Sequence, residues 1–228
     1  MPTIVAIETS TELASVALLQ GDQLISRESG GAQTHSQYVL PMLQSLLIEA
    51  GITLSQCDAL AYGAGPGSFT GVRTACGLAQ GLAFGANVPV VPVVTLMAMA
   101  DAARRAGGGD SIVAALDARM GEVYWAQYRF RDGWQAVVAP TLSKPTQVTA
   151  QGPALACGSG LGVYADAFAD FDFIDRWPGL MPHAAHIARL AVAAVMAGHT
   201  VHARDAQPLY LRDKVALTTR ERLAGVPA

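Results

Sequence analysis

The chain has 228 residues, of which 51% are apolar and only 14% are charged, with a formal net charge of −3. This length is sufficient for one large domain or for two small lobes with a sizeable core. The charge balance, with no run of Lys and Arg, argues against tight nucleic-acid binding by this chain alone. So high an apolar fraction is consistent with a face that a partner protein buries.

The cysteines and the apolar segments indicate where the protein works. Three cysteines, widely spaced and without a C-x-x-C motif, indicate reduced thiols rather than a disulfide framework. No basic segment precedes the first apolar run, so no signal peptide is predicted. The most apolar stretch, 88–99, contains two prolines and is too short to span a bilayer. We therefore expect a cytoplasmic protein that does not enter a membrane.

The first half of the chain alternates short apolar runs with helical patterns. Strands are predicted at residues 3–7, 14–19, 23–27, 59–62 and 88–94, a loop at 29–34, and helices at 36–50, 70–84 and 95–105. Strands rich in Val, Ile and Ala between helices indicate an α/β sheet that is covered on both faces.

The glycines at 107–109 form the clearest break in the chain. A unit of strand, polar turn, strand, turn and strand precedes this break at 3–28 and recurs after it at 111–139. The remaining predicted elements are a strand at 155–157 and helices at 161–168 and 184–197. Two ordered copies of the unit predict two related α/β lobes, of which the second has fewer clear helices.

The predicted helix at 70–84 has an unusual stripe of glycines. A strand and a glycine-rich turn precede it, and Gly77, Gly81 and Gly85 follow at a spacing of four, which places them on one face. Each glycine inside a helix costs about 1 kcal/mol relative to alanine. Close approach of another helix or strand is the usual feature that offsets such a cost.

Three motifs resemble those of the TsaB (YeaZ) family: IETS at 7–10, GAGPGSFTGVR at 63–73 and DARMGEVY at 117–124. The resemblance covers most of the chain and is strongest over residues 1–130. It implies a duplicated actin-like, or ribonuclease-H-like, two-lobe α/β fold of the ASKHA type with a reduced second lobe. The expected lobes are 1–106, which binds the partner, and 107–228, whose final segment packs back on the first lobe.

The resemblance also implies a function. The family provides a non-catalytic scaffold subunit that activates TsaD, which transfers threonylcarbamoyl to the adenosine beside the tRNA anticodon. The implied partners are TsaD as a heterodimer, TsaE, and tRNA indirectly through the complex. No cofactor is expected in this chain, since ATP and a metal belong to the partner subunit. Whether the chain forms a homodimer when the partner is absent is left open.

The expected partner interface lies on two helices of the first lobe. Small residues on the glycine helix allow a foreign backbone to approach, and aliphatic residues on the preceding helix fill the facing grooves. The candidate interface residues are Leu40, Leu43, Leu47, Arg73, Gly77 and Gly81. Ordinary packing within the lobe is the alternative for both helices, and Arg73 is expected to be solvated or to face the partner.

A rival hypothesis is an autonomous enzyme, either a nucleotide hydrolase or a glycoprotease-like protein. It rests on a degenerate nucleotide site composed of Glu8, Ser10, Gly65 and Gly67. The glycine loop lacks the Lys-Ser or Lys-Thr of a P-loop, and no G-x-S-x-G nucleophile motif is present. No catalytic residue is therefore assigned. The five histidines lack the spacing of a metal site, and solvated or helix-capping roles are expected for them.

Overall fold

The computed structural model describes residues 1–30 and 35–212, which form two five-stranded sheets with helices around and between them. The first sheet contains β1 (Thr3–Glu8), β2 (Leu13–Gln20), β3 (Gln23–Gly30), β4 (Ala59–Gly65) and β5 (Val90–Val94). Strands β1 to β3 form an antiparallel meander, and β4 and β5 add to β1 in parallel, so that the order is β3-β2-β1-β4-β5.

The second sheet repeats this arrangement strand for strand. It contains β6 (Ser111–Asp117), β7 (Val123–Phe130), β8 (Trp134–Ser143), β9 (Leu155–Cys157) and β10 (Asp175–Trp177), in the order β10-β9-β6-β7-β8. Again three antiparallel strands are followed by two parallel ones. The predicted duplicated two-lobe α/β fold is confirmed.

Two helices cover the outer face of the first sheet. They are α1 (His35–Ala50) and α2 (Phe69–Ala86). Alternate residues of β1 point to opposite faces, so that Val5 and Ile7 pack under these helices while Ile4 and Ala6 face the other way. The second sheet has only a short helix, α4 (Ser159–Val163), and 3-10 turns in the corresponding places. The second lobe is therefore reduced, as predicted.

Two further helices, α3 (Thr95–Arg105) and α5 (Ala184–Met196), lie between the sheets. Helix α5 packs its buried face, including Ile187, on the inner face of the first sheet. Helix α3 packs mainly on the second sheet through residues such as Leu96 and Met99. The predicted boundary at residue 106 lies between the strands of the first sheet and those of the second. Helix α3 precedes this boundary but packs mainly on the second sheet, and α5 follows it but packs on the first.

Several predicted elements differ from those observed. The predicted helix 161–168 begins earlier, at Ser159, and ends at Val163, followed by the 3-10 turn Ala165–Phe168. Strand β10 was not predicted, because its three residues have no apolar alternation. Of the predicted loop 29–34, Ser29 and Gly30 belong to β3. Residues 31–34 and the chain after Arg212 lie outside the described part.

Candidate functional site

Helix α2 has a buried side formed by alanines. Ala75, Ala79 and Ala83 are buried against the first sheet, in one core cluster with residues of α1. The helix begins after Ser68, whose hydroxyl accepts a hydrogen bond from the N–H of Gly71 at 3.4 Å, and it ends at Asn87 in a left-handed conformation. These alanines let the helix lie close to the sheet.

The opposite side of α2 carries the glycines. Gly77 and Gly81 are exposed, and a Cβ added at either would meet no atom within 4 Å in the described chain. Phe84, at a helical spacing from both, is 81% exposed. The packing of this lobe therefore does not require glycine at either position, and the stripe faces outward beside a large apolar side chain.

Helix α1 divides the predicted interface leucines between its two sides. Leu40 is 43% exposed and Ile48 is 72% exposed, so both have area that a partner can cover. Leu43, at 3% exposure, lies in the core of its own lobe, and Leu47 packs against the same core. The burial of Leu43 favours the alternative of ordinary packing within the lobe, because its side chain fills the space beneath the helix.

The glycine loop between β4 and α2 is packed against the turn that follows β1. A Cβ at Gly63 would overlap Oε2 of Glu8, and one at Gly67 would lie 2.6 Å from Cβ of Ser10. A Cβ at Gly71 would overlap the carbonyl oxygen of Thr9. Glycine is therefore required at these positions for close packing of the two chain segments.

Glu8 is fully buried in this contact. Its Oε1 accepts a hydrogen bond from the N–H of Ser10 at 2.5 Å, and the hydroxyl of Thr95 lies 3.4 Å from its Oε2. Burial raises the pKa of the carboxyl group above its ordinary value of 4.5, against the opposing effect of these hydrogen bonds. Gly65 has φ +108° and donates its N–H to Thr95 Oγ1 at 3.2 Å. The four residues predicted for a degenerate nucleotide site thus lie close together, and Thr95 links Glu8 to Gly65.

A cleft of about 740 Å³ separates the two lobes at this end of the sheets. Ser10 and Gly67 line it from the first lobe, and Asp117 lines it from the second. Arg119 crosses it, with its Nη2 3.1 Å from Glu12 and its Nη1 3.3 Å from Asp117. The two acidic residues that line the cleft, Glu12 and Asp117, are therefore both paired with this arginine. No local signal in the sequence predicts this bridge, because Glu12 lies 107 residues from Arg119.

Comparison with known proteins decides the family. A family model described as "TsaD: tRNA N6-adenosine threonylcarbamoyltransferase" matches residues 22–217. The tRNA threonylcarbamoyladenosine biosynthesis protein TsaB of Haemophilus influenzae is 38% identical, over 98% of both chains. The chain belongs to the TsaB family. The TsaB protein of Escherichia coli is 40% identical over 93% of this chain and 96% of its own. The structure of YeaZ from Pseudomonas aeruginosa superposes with a TM-score of 0.88 at 39% identity, covering 92% of this chain and all of that one.

Two histidines of this TsaB-family chain, His183 and His186, have structural contacts. His183 caps α5 by accepting the N–H of Ala185 at 3.1 Å, as expected for a helix-capping histidine. His186 Nδ1 lies 2.8 Å from Asp101, which also accepts a hydrogen bond from Arg105 at 2.7 Å. Burial alone would raise the pKa of Asp101, but the hydrogen bonds with His186 and Arg105 outweigh it and lower the pKa below its ordinary 3.8.

Within residues 1–30 and 35–212, no three His, Cys, Asp or Glu side chains lie close enough together to hold a metal ion. Over the same part of this TsaB-family chain, no helix has the length and apolar character needed to cross a membrane.

Proposed function

We propose that this chain is a non-catalytic scaffold subunit in the synthesis of threonylcarbamoyladenosine in tRNA. It docks on TsaD through the docking face, which comprises Leu40 and Ile48 of α1 with Gly77, Gly81 and Phe84 of α2. The observation that carries the proposal is the outward position of the two glycines. Together they lower the stability of the helix by about 2 kcal/mol relative to alanine, and no close packing within their own lobe offsets this loss.

A helix of a second protein would make use of these glycines. Small residues let two helix backbones approach closely, and the flanking apolar side chains then fill the grooves on either side. Leu40, Ile48 and Phe84 supply such side chains, each with a substantial exposed area. Burying them would add roughly 25 cal/mol for each Å² of apolar surface removed from water. The same face could also pair with a second copy of the chain when the partner is absent.

The chemistry would then belong to TsaD, which would use the metal and the threonylcarbamoyl donor, and TsaE would supply ATP turnover in the cytoplasm. Two features of this chain support a non-catalytic role. Glu8 is buried and hydrogen-bonded to the backbone, and Glu12 is paired with Arg119, so that both acidic side chains have structural partners. Docking would act by stabilising the active conformation of TsaD, which shifts its population. The tRNA would be reached through the assembled complex.

A reconstituted modification assay tests this proposal. Purified chain, TsaD and TsaE from the same organism, the threonylcarbamoyl donor, ATP and tRNA are combined, and each component is left out in turn. We expect no modified adenosine when this chain is omitted, and recovery when it is added at the concentration of TsaD. Full modification without the chain would contradict the proposal.

The enzymatic alternative is tested on the chain alone. We expect no ATP turnover with or without Mg²⁺. Turnover that copurifies with the chain and is lost in Glu8→Gln would favour the nucleotide-hydrolase hypothesis and overturn the scaffold assignment.

A further inference from the structure

The segment 206–212 crosses the first lobe as a strap and ends at the second lobe. The carbonyl of Gln207 accepts a hydrogen bond from the hydroxyl of Tyr62 at 2.8 Å, and the N–H of Leu209 donates to the carbonyl of Ala64 at 2.7 Å. At its end, Arg212 forms an ion pair with Glu122 of the second lobe at 2.5 Å. The strap is therefore held along its length by β4 and by the edge of the second lobe.

The strap fixes Arg73, which is the only charged residue in α2. The hydroxyl of Tyr210 accepts a hydrogen bond from Arg73 Nε at 2.6 Å. The guanidinium carbon lies 3.4 Å from the centre of the Phe69 ring and 5.4 Å from that of Tyr210. A cation held by a ring on one side and a hydroxyl on its Nε retains little freedom.

In the described part of the chain, no hydrogen bond or ion pair uses the other two nitrogens of this guanidinium. Among the residues that the structure describes, no carboxylate lies within ion-pair distance of Arg73. Arg73 also precedes Gly77 and Gly81 by four and eight residues, which places it on the glycine stripe at the end of the docking face. A fixed guanidinium fork with free terminal nitrogens matches the geometry of a carboxylate.

We propose that TsaD places the carboxylate of an Asp or Glu side chain on Arg73, and that Tyr210 of the strap positions the guanidinium for it. This inference rests on the proposed docking function and names the chemistry of the partner at one end of that face. Tyr210 is thus a positioning residue, and the strap is part of the interface although it lies 137 residues from Arg73 in sequence.

A carboxylate is favoured over a phosphate of tRNA for two reasons. Arg73 continues a face of glycines and apolar side chains, which suits a protein helix, and neither α1 nor α2 carries a second Lys or Arg for a nucleic-acid backbone. The chain as a whole has 18 acidic residues against 15 Lys and Arg. Phosphate-backbone binding needs several cations together.

The test measures the affinity for TsaD from the same organism at low and at high salt. Arg73→Gln removes the charge, Arg73→Lys keeps the charge without the fork, and Tyr210→Phe keeps the ring without the hydroxyl. Arg204→Gln is the matched control, since Arg204 is an exposed arginine of the short helix before the strap, with only a 3.6 Å contact to Asp205. Thermal unfolding verifies that each variant is folded.

We expect Arg73→Gln to raise Kd by roughly 10- to 100-fold and to remove most of the salt dependence. Arg73→Lys should be intermediate, Tyr210→Phe should raise Kd by about 2- to 10-fold, and Arg204→Gln should match the parent. A charge-swap scan then combines Arg73→Glu with TsaD variants in which one Asp or Glu is replaced by Arg. The TsaD variant that restores binding identifies the carboxylate.

Two results would overturn the inference. In the first, Arg73→Gln binds TsaD as the parent does while Gly77→Leu abolishes binding, so that the docking function stands without the carboxylate contact. In the second, Arg73→Gln weakens only the binding of tRNA to the assembled complex, so that the anion is a phosphate. If Gly77→Leu also binds TsaD normally, the proposed function itself fails.

Discussion

Alanine substitution at three glycines of α2 should change the stability of the free chain with opposite signs. At Gly77 and Gly81 an added Cβ meets no atom within 4 Å, so the variant gains helix propensity without a clash. The gain is about 1 kcal/mol for each position, or roughly 2 kcal/mol for the pair. For a chain of this size the pair should raise Tm by roughly 4–8 °C.

The control is the same substitution on the same helix. At Gly71 the added Cβ would overlap the carbonyl oxygen of Thr9, which is backbone and cannot rotate away. Gly71→Ala should therefore cost about 1–3 kcal/mol, as for other overpacked sites.

Both effects are measured by urea denaturation and differential scanning calorimetry on the chain without a partner. The more stable Gly77→Ala/Gly81→Ala protein should bind TsaD more weakly by about tenfold or more, since methyl groups then separate backbones that were in contact. A double variant that is less stable than the parent would show that these glycines pack within the lobe. One that is more stable and binds TsaD equally well would show that the glycines serve no interface.

Three further predictions follow from burial and charge. Leu43→Ala should lower stability by about 2–5 kcal/mol with a small direct effect on docking, while Leu40→Ala should lower stability little and weaken TsaD binding; urea denaturation and a binding titration separate the two. Because burial raises the pKa of Glu8, the carboxyl group stays protonated to a higher pH in the folded chain than in the unfolded chain. The free energy of unfolding should therefore fall as pH rises above 4.5. Glu8→Gln should remove this fall in a pH series of denaturation curves. Because its contacts with His186 lower the pKa of Asp101, that carboxylate stabilises the fold above pH 3.8 and loses this effect as pH falls; Asp101→Asn should cost about 1–3 kcal/mol at neutral pH and flatten the acid limb of the same series.

The regular elements of the first lobe could be predicted because each has a strong local signal. Helix α3 has the predicted bounds, and α2 extends the predicted helix by one residue at its start and two at its end. Strand β10 has no such signal, since Asp175–Trp177 becomes a strand only by pairing with β9. The repeat of strand, turn and strand was sufficient to predict two lobes. It could not show that α3 packs on the second sheet and α5 on the first, because that depends on contacts between distant segments.

The sequence predicted which two helices carry the candidate site, but not which of their residues face outward. The sequence shows that Gly71 and Gly77 lie on one helix, yet it cannot show that the first contacts Thr9 while the second faces outward. Likewise Leu40 and Leu43 belong to one apolar stripe that is wider than the buried side of α1. The contact between Arg73 and Tyr210 has no local signal, since the two residues meet only through the path of the strap.

Sedimentation velocity of an equimolar mixture of this chain and TsaD tests the central claim most directly. The parent chain should leave its own species, monomer or homodimer, and sediment with TsaD as a heterodimer. Gly77→Leu and Gly81→Leu should sediment separately from TsaD, whereas Gly133→Leu, which adds the same bulk at an open glycine in the turn before β8, should behave as the parent does. If the parent and TsaD sediment separately, or if Gly77→Leu and Gly81→Leu form the heterodimer as readily as the parent, then the outward side of α2 does not bind TsaD.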